Sequence, residues 1–412
     1  MKTLIAALTA ACAFSAAPAV AQTSTPAPLA STKPAVAPPA ASAAPSPAPS
    51  PSPTPRAWQA SGFAATSFND SSLGPGTAGF SFANGGASRT FDTISRQLML
   101  NAINVQLQKT GTVFGKVELT AGTNANVIAS YPYANNPNPL QTAFDVTQLY
   151  AGISSGPLAL QAGKFATLAG AEVIEDPANA NISRSILFGY AIPFTHTGAR
   201  LTYTPTSLWT VIAGVNNGWD NLKGPGGPKS AELGLAYNGA VFALTAQSYL
   251  GMERYSNAMW SATGDSPAGH RALLDVVGTY HATPKLTFVG NFDTGRQTAV
   301  ALLDGGGAVV PVPGGLGTAT WNGFAGYATY QISSKLSAAL RGETFNDRGG
   351  FRTGFDQQWS EATFTLAYAP SAPVVFRLEG RSDHSNRLVW ADQGFGFHDA
   401  MQSVAAQVLV KF

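Results

Sequence analysis

From residue 58 to the end of the chain, apolar and polar side chains trade places one by one over short stretches. A period of two suits extended strands and excludes amphipathic helices. Sixteen such segments can be read: 58–68, 97–109, 113–121, 144–153, 158–167, 199–204, 208–215, 230–237, 241–251, 271–281, 286–294, 320–332, 336–345, 359–368, 374–381 and 401–412. In the last of them Val404, Ala406, Val408, Val410 and Phe412 share one face, and Ser403, Gln407 and Lys411 share the other. The connections alternate as well. Those at 110–112, 154–157, 205–207, 238–240, 282–285, 333–335 and 369–373 are short, and every connection between them in the series is longer. This is the pattern of an antiparallel meander whose tight turns all lie at one rim, and an even strand count brings both ends back to that rim.

Alternation alone would also suit a soluble sandwich with an apolar core between two sheets. Composition and context decide for the membrane. Only 11% of residues are charged, 43 are glycine and 10% are aromatic, yet no stretch after the N-terminus has the 18 or so apolar residues of a membrane helix. Aromatic residues stand near segment ends, at Trp58, Tyr203, Trp209, Tyr237, Tyr280 and Tyr368, as interfacial girdles do. The expected fold is therefore all-β: a transmembrane antiparallel up-and-down barrel of about 16 strands, apolar towards lipid and polar towards the lumen.

Residues 1–21 read as a secretory signal peptide, with Lys2 before an apolar run and Ala19-Val20-Ala21 as cleavage site. Cys12, the only cysteine, falls within it, so the mature chain has neither an internal disulfide nor a thiolate metal site. Residues 22–56 are almost wholly Pro, Ala, Ser and Thr. Such a segment cannot bury enough surface to order itself and is expected as a disordered periplasmic tail; as a tether to the cell wall it would serve a sealed, structural barrel instead of an open one. The barrel domain spans 57–412. Setting aside Lys2, Lys33 and Arg56 from 24 basic residues leaves 21 against 22 acidic ones, which is no footprint for nucleic acid.

One connection stands apart. Residues 168–197 lack alternation but carry Glu172, Glu175 and Asp176, followed by the run NISRSILFGYAIPFTHTG at 181–198. Their many apolar side chains must fold back onto the protein, and Asp176-Pro177 has the form of a helix start, so a short helix is expected to run towards Phe188. Sixteen strands leave an aqueous channel. Residues 168–197, the third long connection, are expected to lie inside it and narrow it. Glu172, Glu175, Asp176, Arg184, Tyr190 and His196 would form the constriction, facing Lys116, Arg200, Arg271, Arg341, Arg377 and Arg381 on the wall. The acidic end opposite several arginines would set up a transverse field; the plainer alternative is that the acids pair with Arg184 and hold the loop folded. On alternation, Glu118, Glu232, Asp275, Asp293, Glu343, Glu361 and Glu379 also face the lumen.

Catalysis has little support. Asp383-His384-Ser385 are neighbours in sequence, which is not the spatial geometry of a triad. His196 has no second ligand at metal spacing, and the glycine-rich stretches at 224–227 and 305–317 lack the helix and Lys-Ser/Thr of a phosphate loop. No enzyme, cofactor or metal is expected.

The run FGYAIPFTHTG, with the acidic segment before it, resembles the β-barrel porin-2 family, also called OmpL-like, and the architecture resembles bacterial general porins. The resemblance implies an outer-membrane location, passive diffusion of small hydrophilic solutes or ions, contact with outer-membrane lipid, and a homotrimer as in related general porins. The terminal Phe412 resembles the aromatic signature by which the outer-membrane assembly machinery recognises barrels.

Overall fold

A computed structural model describes residues 58–74, 76–77, 89–130, 144–223, 229–254, 268–313, 315–392, 394 and 396–412; the expected leader and Pro-rich tail lie outside them. Sixteen strands follow in chain order: β1 (Gln59–Ser71), β2 (Gln97–Lys109), β3 (Val113–Ala121), β4 (Phe144–Ser155), β5 (Leu158–Ala166), β6 (Thr195–Tyr203), β7 (Trp209–Asn216) and β8 (Ser230–Asn238). The second half comprises β9 (Phe242–Arg254), β10 (Ala268–Thr283), β11 (Leu286–Val300), β12 (Gly317–Gln331), β13 (Leu336–Arg348), β14 (Gln357–Ser371), β15 (Val374–Ser385) and β16 (Ala400–Lys411). Each pairs antiparallel with its neighbours in sequence, and β16 pairs with β1 from Phe63↔Lys411 to Ser71↔Ser403, closing the barrel. The seam extends past the ladder: the Gly62 amide donates to the Phe412 carbonyl at 2.8 Å, and the Phe412 amide donates back at 3.0 Å. Closure leaves no strand edge unpaired, which a sheet in lipid requires.

All sixteen segments expected from alternation are present as strands, and β2 and β3 have the expected ends. The largest shifts are in β11, which runs on to Val300 beyond the expected 294, in β15, which runs on to Ser385 beyond 381, and in β6, which starts at Thr195 and not at Ala199. The first residues of β6 pair along one edge with β5, His196 opposite Phe165, and along the other edge with the next connection. The Asn217 amide donates to the Thr197 carbonyl, and the Asp220 amide to that of Thr195. Thr195, His196 and Thr197 are polar at every position, so this stretch has no apolar and polar face to alternate.

Burial is inverted relative to a soluble protein. Leu274, Phe292, Phe324, Leu340, Phe376 and Val408 are exposed, while Lys116, Glu118, Glu232, Asp275, Asp293 and Arg341 are buried. The apolar face is the outer one and the charged face points inward. The main apolar cluster gathers inward-facing strand residues, among them Tyr249, Trp321, Phe345 and Trp359, with Ile186, Leu187, Phe188, Ala191 and Ile192 of the third long connection. A short helix, α1 (Thr123–Ile128), follows β3 and places Ile128 in the same cluster.

Candidate functional site

The third long connection leaves β5 after Ala166 and enters β6 at Thr195, so the last three residues of the expected loop belong to the strand. Nor does a helix run from Asp176 to Phe188. Asp176–Ala178 form a single 3₁₀ turn, the Ala178 amide donating to the Glu175 carbonyl at 3.1 Å, and Leu187–Ala191 form one π-helical turn. The physical reason lies in the barrel wall. The amides that a continuous helix would use internally are taken by carboxylates: Ile182 and Ser183 donate to Glu379 at 2.6 and 3.0 Å, Ser185 donates to Glu172 at 2.7 Å, and Ile186 and Leu187 donate to Glu343 at 2.6 and 3.1 Å. Charge-assisted bonds of this kind are stronger than the neutral ones of a helix. Glu343 thereby caps the π-turn, where exposed amides favour negative charge.

These contacts lie far from where the connection starts. In a ring of sixteen strands β5 and β13 stand eight apart, on opposite walls. As the chain advances from Asn179 to Arg184 it climbs β15: Arg377 donates to the Asn179 carbonyl at 2.7 Å, Glu379 accepts from residues 182 and 183, and Arg381 donates to the Arg184 carbonyl at 2.7 Å. Its flanks are tied elsewhere. Leu168 donates to the Tyr249 hydroxyl at 3.2 Å, Ala171 to Asn291 at 2.8 Å, and Trp321 donates to the Ala191 carbonyl at 3.0 Å.

The three acids expected at a filter are paired. Glu172 lies 2.8 Å from Arg341, Asp176 lies 2.8 Å from Arg184, and Glu175 lies 3.4 Å from Lys116, which also holds Glu118 at 2.7 Å. Asp176 further accepts from the Asn124 amide at 3.1 Å. The wall arginines are similarly engaged. Arg341 contacts Glu361 at 2.7 Å, Arg381 contacts Asp383 at 2.7 Å and Glu361 at 3.6 Å, and Arg200 contacts Glu232 at 2.8 Å. Arg271 donates to Gln297 at 2.7 Å and sits 4.8 Å over the Trp219 ring. Tyr190 packs on Trp359 at 5.9 Å, and its carbonyl accepts from Arg352. His196 is fully buried on β6, stacked on Tyr249 at 4.2 Å, with Nδ1 3.3 Å from the Gly218 carbonyl. It is a wall residue and not a loop residue. Phe412 stands apart at the β1 seam, exposed.

Two groups of participants were not anticipated. Glu343 and Glu379 were expected only as lumen-facing charges, whereas each grips two consecutive amides of the connection. A signal for this exists: Arg341-x-Glu343 and Arg377-x-Glu379-x-Arg381-x-Asp383 put alternating charges on one face of β13 and of β15, the two neighbours of β14, more than a water-lined wall needs. The second group comes from the first long connection. Arg89 reaches Asp383 at 2.5 Å and Asp92 at 2.7 Å, and Phe91 packs on Phe188 and Phe194 at 5.9 and 5.7 Å. Nothing in the spacing of residues 89–92 points to it.

The profile of the family described as "Putative beta-barrel porin-2, OmpL-like" matches residues 67–411. No curated protein matches the chain. Among solved structures, the trimeric outer-membrane protein OmpT of Vibrio cholerae superposes with a TM-score of 0.56 at 11% identity, over 86% of this chain and 99% of its own. The outer-membrane channel DcaP of Acinetobacter baumannii gives 0.56 at 9% identity, over 86% and 97%. An anion-selective porin from Comamonas acidovorans gives 0.55 at 9%, over 86% and 99%. Identities this low speak for the shared fold alone.

Proposed function

The chain belongs to the β-barrel porin-2, OmpL-like family, and on that premise we propose that it is an outer-membrane porin for small hydrophilic solutes or ions, narrowed by its third long connection. It acts as a passive channel and not as an enzyme. The observation that carries the reading is the set of bonds from residues 168–192 to inward side chains of β9, β11, β12, β13 and β15. A segment anchored beside β5 and bonded to the wall eight strands away supports a path through the interior that restricts whatever passes. The inward charges supply the polar lining that solutes need in low-dielectric surroundings. Export by the N-terminal leader, recognition of Phe412 during assembly, and a trimer in lipid belong to the same reading.

A second reading has one specific observation behind it. Trp219, Trp321, Phe351, Trp359 and Trp390 fill the long-connection end of the barrel with apolar surface, as a sealed barrel tethered by its Pro-rich tail would. Planar-bilayer recording separates the two. Discrete, ohmic steps from folded protein, enlarged when residues 171–191 are replaced by a short Gly-Ser linker, support the porin. Silence from properly folded barrels supports the sealed anchor.

A further inference from the structure

The third long connection ends its descent above a cavity of about 760 Å³ at the rim of tight turns. Residues Pro177, Ala178, Asn179 and Ala180 border it on one side; the tight-turn ends of β10 to β15 border the rest. Its charged lining is of one sign. Lys285 and Lys335 stand on two tight turns, Lys411 ends β16, and Arg377 comes from β15; among the described residues no aspartate or glutamate lines it. Thr287 and Thr365 also line it, their hydroxyls engaged by His281 and Glu379, and the Asn179 side-chain amide is spent on the carbonyls of Val173 and Glu175, which leaves the cations as the groups facing a ligand.

Arg377 is the telling residue. It is 7% exposed, and its hydrogen bonds end on neutral acceptors: Nη1 on the carbonyls of Asp176 and Asn181 at 3.2 and 3.4 Å and on Gln407 Oε1 at 3.3 Å, and Nη2 on the Asn179 carbonyl at 2.7 Å. Its Nε is buried with no hydrogen-bond partner among the described residues. Arg184, Arg200, Arg341 and Arg381 each hold a carboxylate within 2.8 Å. Asp176 and Glu379 act on Arg377 only from beyond ion-pair distance, so this buried guanidinium has no direct ion pair among the described residues, and an anion entering the cavity would supply one. Glu172, Glu175 and Asp176 are paired with Arg341, Lys116 and Arg184, and Glu379, behind Thr365, is held by the amides of Ile182 and Ser183 and by the Thr365 hydroxyl.

We propose that this cavity is a binding site for small oxyanions, carboxylates or phosphate, held by Arg377 from within and attracted by Lys285, Lys335 and Lys411 at the mouth. Its size falls in the range of about 300–1,000 Å³ typical of small-molecule sites, and low-dielectric walls focus a field of one sign. If the barrel conducts, the site makes it favour anions; that consequence rests on the porin reading, but binding itself does not.

The test uses the full-length protein folded in detergent, with inorganic phosphate as probe, and compares wild type with Lys285→Glu/Lys335→Glu. Both lysines lie in exposed turns, so the variant keeps its fold, which heat-modifiable gel mobility verifies. Calorimetry or ³¹P line broadening should show saturable phosphate binding to wild type, weakened about tenfold or more in the variant. Acetate distinguishes the class: competition marks a general oxyanion site, and no competition marks a site for phosphate alone, which overturns the carboxylate part. In a bilayer under a KCl gradient, wild type should reverse on the chloride side and the variant should move towards potassium. Phosphate binding that is absent, or equal in both proteins, overturns the assignment, as does a conducting barrel whose reversal potential ignores the charge reversal. A folded barrel that binds phosphate but does not conduct leaves the site standing and removes the porin reading.

Discussion

Replacing Arg341 with methionine tests how the third long connection is held. The guanidinium is fully buried and serves five acceptors at once: Nε meets Glu361 at 2.7 Å, Nη1 meets Glu172 at 2.8 Å and the Ser183 carbonyl at 2.7 Å, and Nη2 meets the hydroxyls of Ser183 and Thr363 at 3.2 Å. Methionine keeps the bulk of the stem but leaves Glu172 and Glu361 without their shared cation. Breaking a buried pair from one side costs about 3–5 kcal/mol. The cost falls on docking of the connection and not on the barrel, whose wall is closed by main-chain ladders on every strand. At about 1.4 kcal/mol per factor of ten, the docked population should drop between about a hundred and several thousand-fold. Hydrogen exchange reads this directly at Ile182, Ser183, Ile186 and Leu187, whose amides bond only to wall carboxylates. Their protection should fall by that factor while strand amides of β13 and β14 keep theirs. The double variant Arg341→Met/Glu172→Gln should recover part of the loss, because one stranded charge is gone, and the deviation from additivity measures the pair. Four amides that stay as protected as in wild type, in a barrel that remains heat-modifiable, would refute the claim that wall charges hold this segment.

Other expectations follow from single contacts. Gly189→Ala would bring a Cβ to 2.4 Å from Thr90 Oγ1 and should cost about 1–3 kcal/mol of packing, seen as faster exchange of the Gly189 amide that bonds the Ser185 carbonyl; Thr90→Ala in the same chain should restore most of it. Trp321→Phe removes the donor to the Ala191 carbonyl and should lower the melting free energy of the connection by roughly 1 kcal/mol, while an unchanged exchange profile would contradict that role. Asp220, in the connection after β7, accepts from the amides of Phe194 and Thr195 at 3.0 and 2.8 Å, yet burial pushes its carboxyl up to about 6. An unfolded aspartate titrates near 4, so the folded state holds the extra proton between those values; this contribution to stability is full below about pH 4 and is lost as pH rises to about 6. Exchange of the two amides, corrected for intrinsic rate, should therefore slow on acidification across that window in wild type and not in Asp220→Asn.

How far the molecule was legible beforehand depends on whether the cause is local. Strands and their facing were readable because period-two alternation is written residue by residue, and because the solvents on the two sides of the wall differ. Arg200, Glu232, Asp275 and Arg381 could be placed inward from parity alone. Where every side chain is polar, as at Thr195–Thr197, parity has nothing to report, and the strand starts earlier than alternation shows. The helix expected after Asp176 failed for another reason. Local signals for a helix start were present, but Glu379 and Glu343, about 160 to 200 positions later in the chain, took the amides.

Sequence by itself thus determined a sixteen-stranded wall, the order of its long and short connections, and the sign of the surface each side chain meets. Tertiary structure alone decided how the charges are spent. Whether Glu172 faces a solute or Arg341, and whether Arg377 has a direct ion pair or bonds neutral oxygens, depends on which atoms meet across the barrel. Coulomb energy and hydrogen bonding fall off within a few ångströms, and such proximity between opposite walls is set by closure of the ring and not by any spacing along the chain.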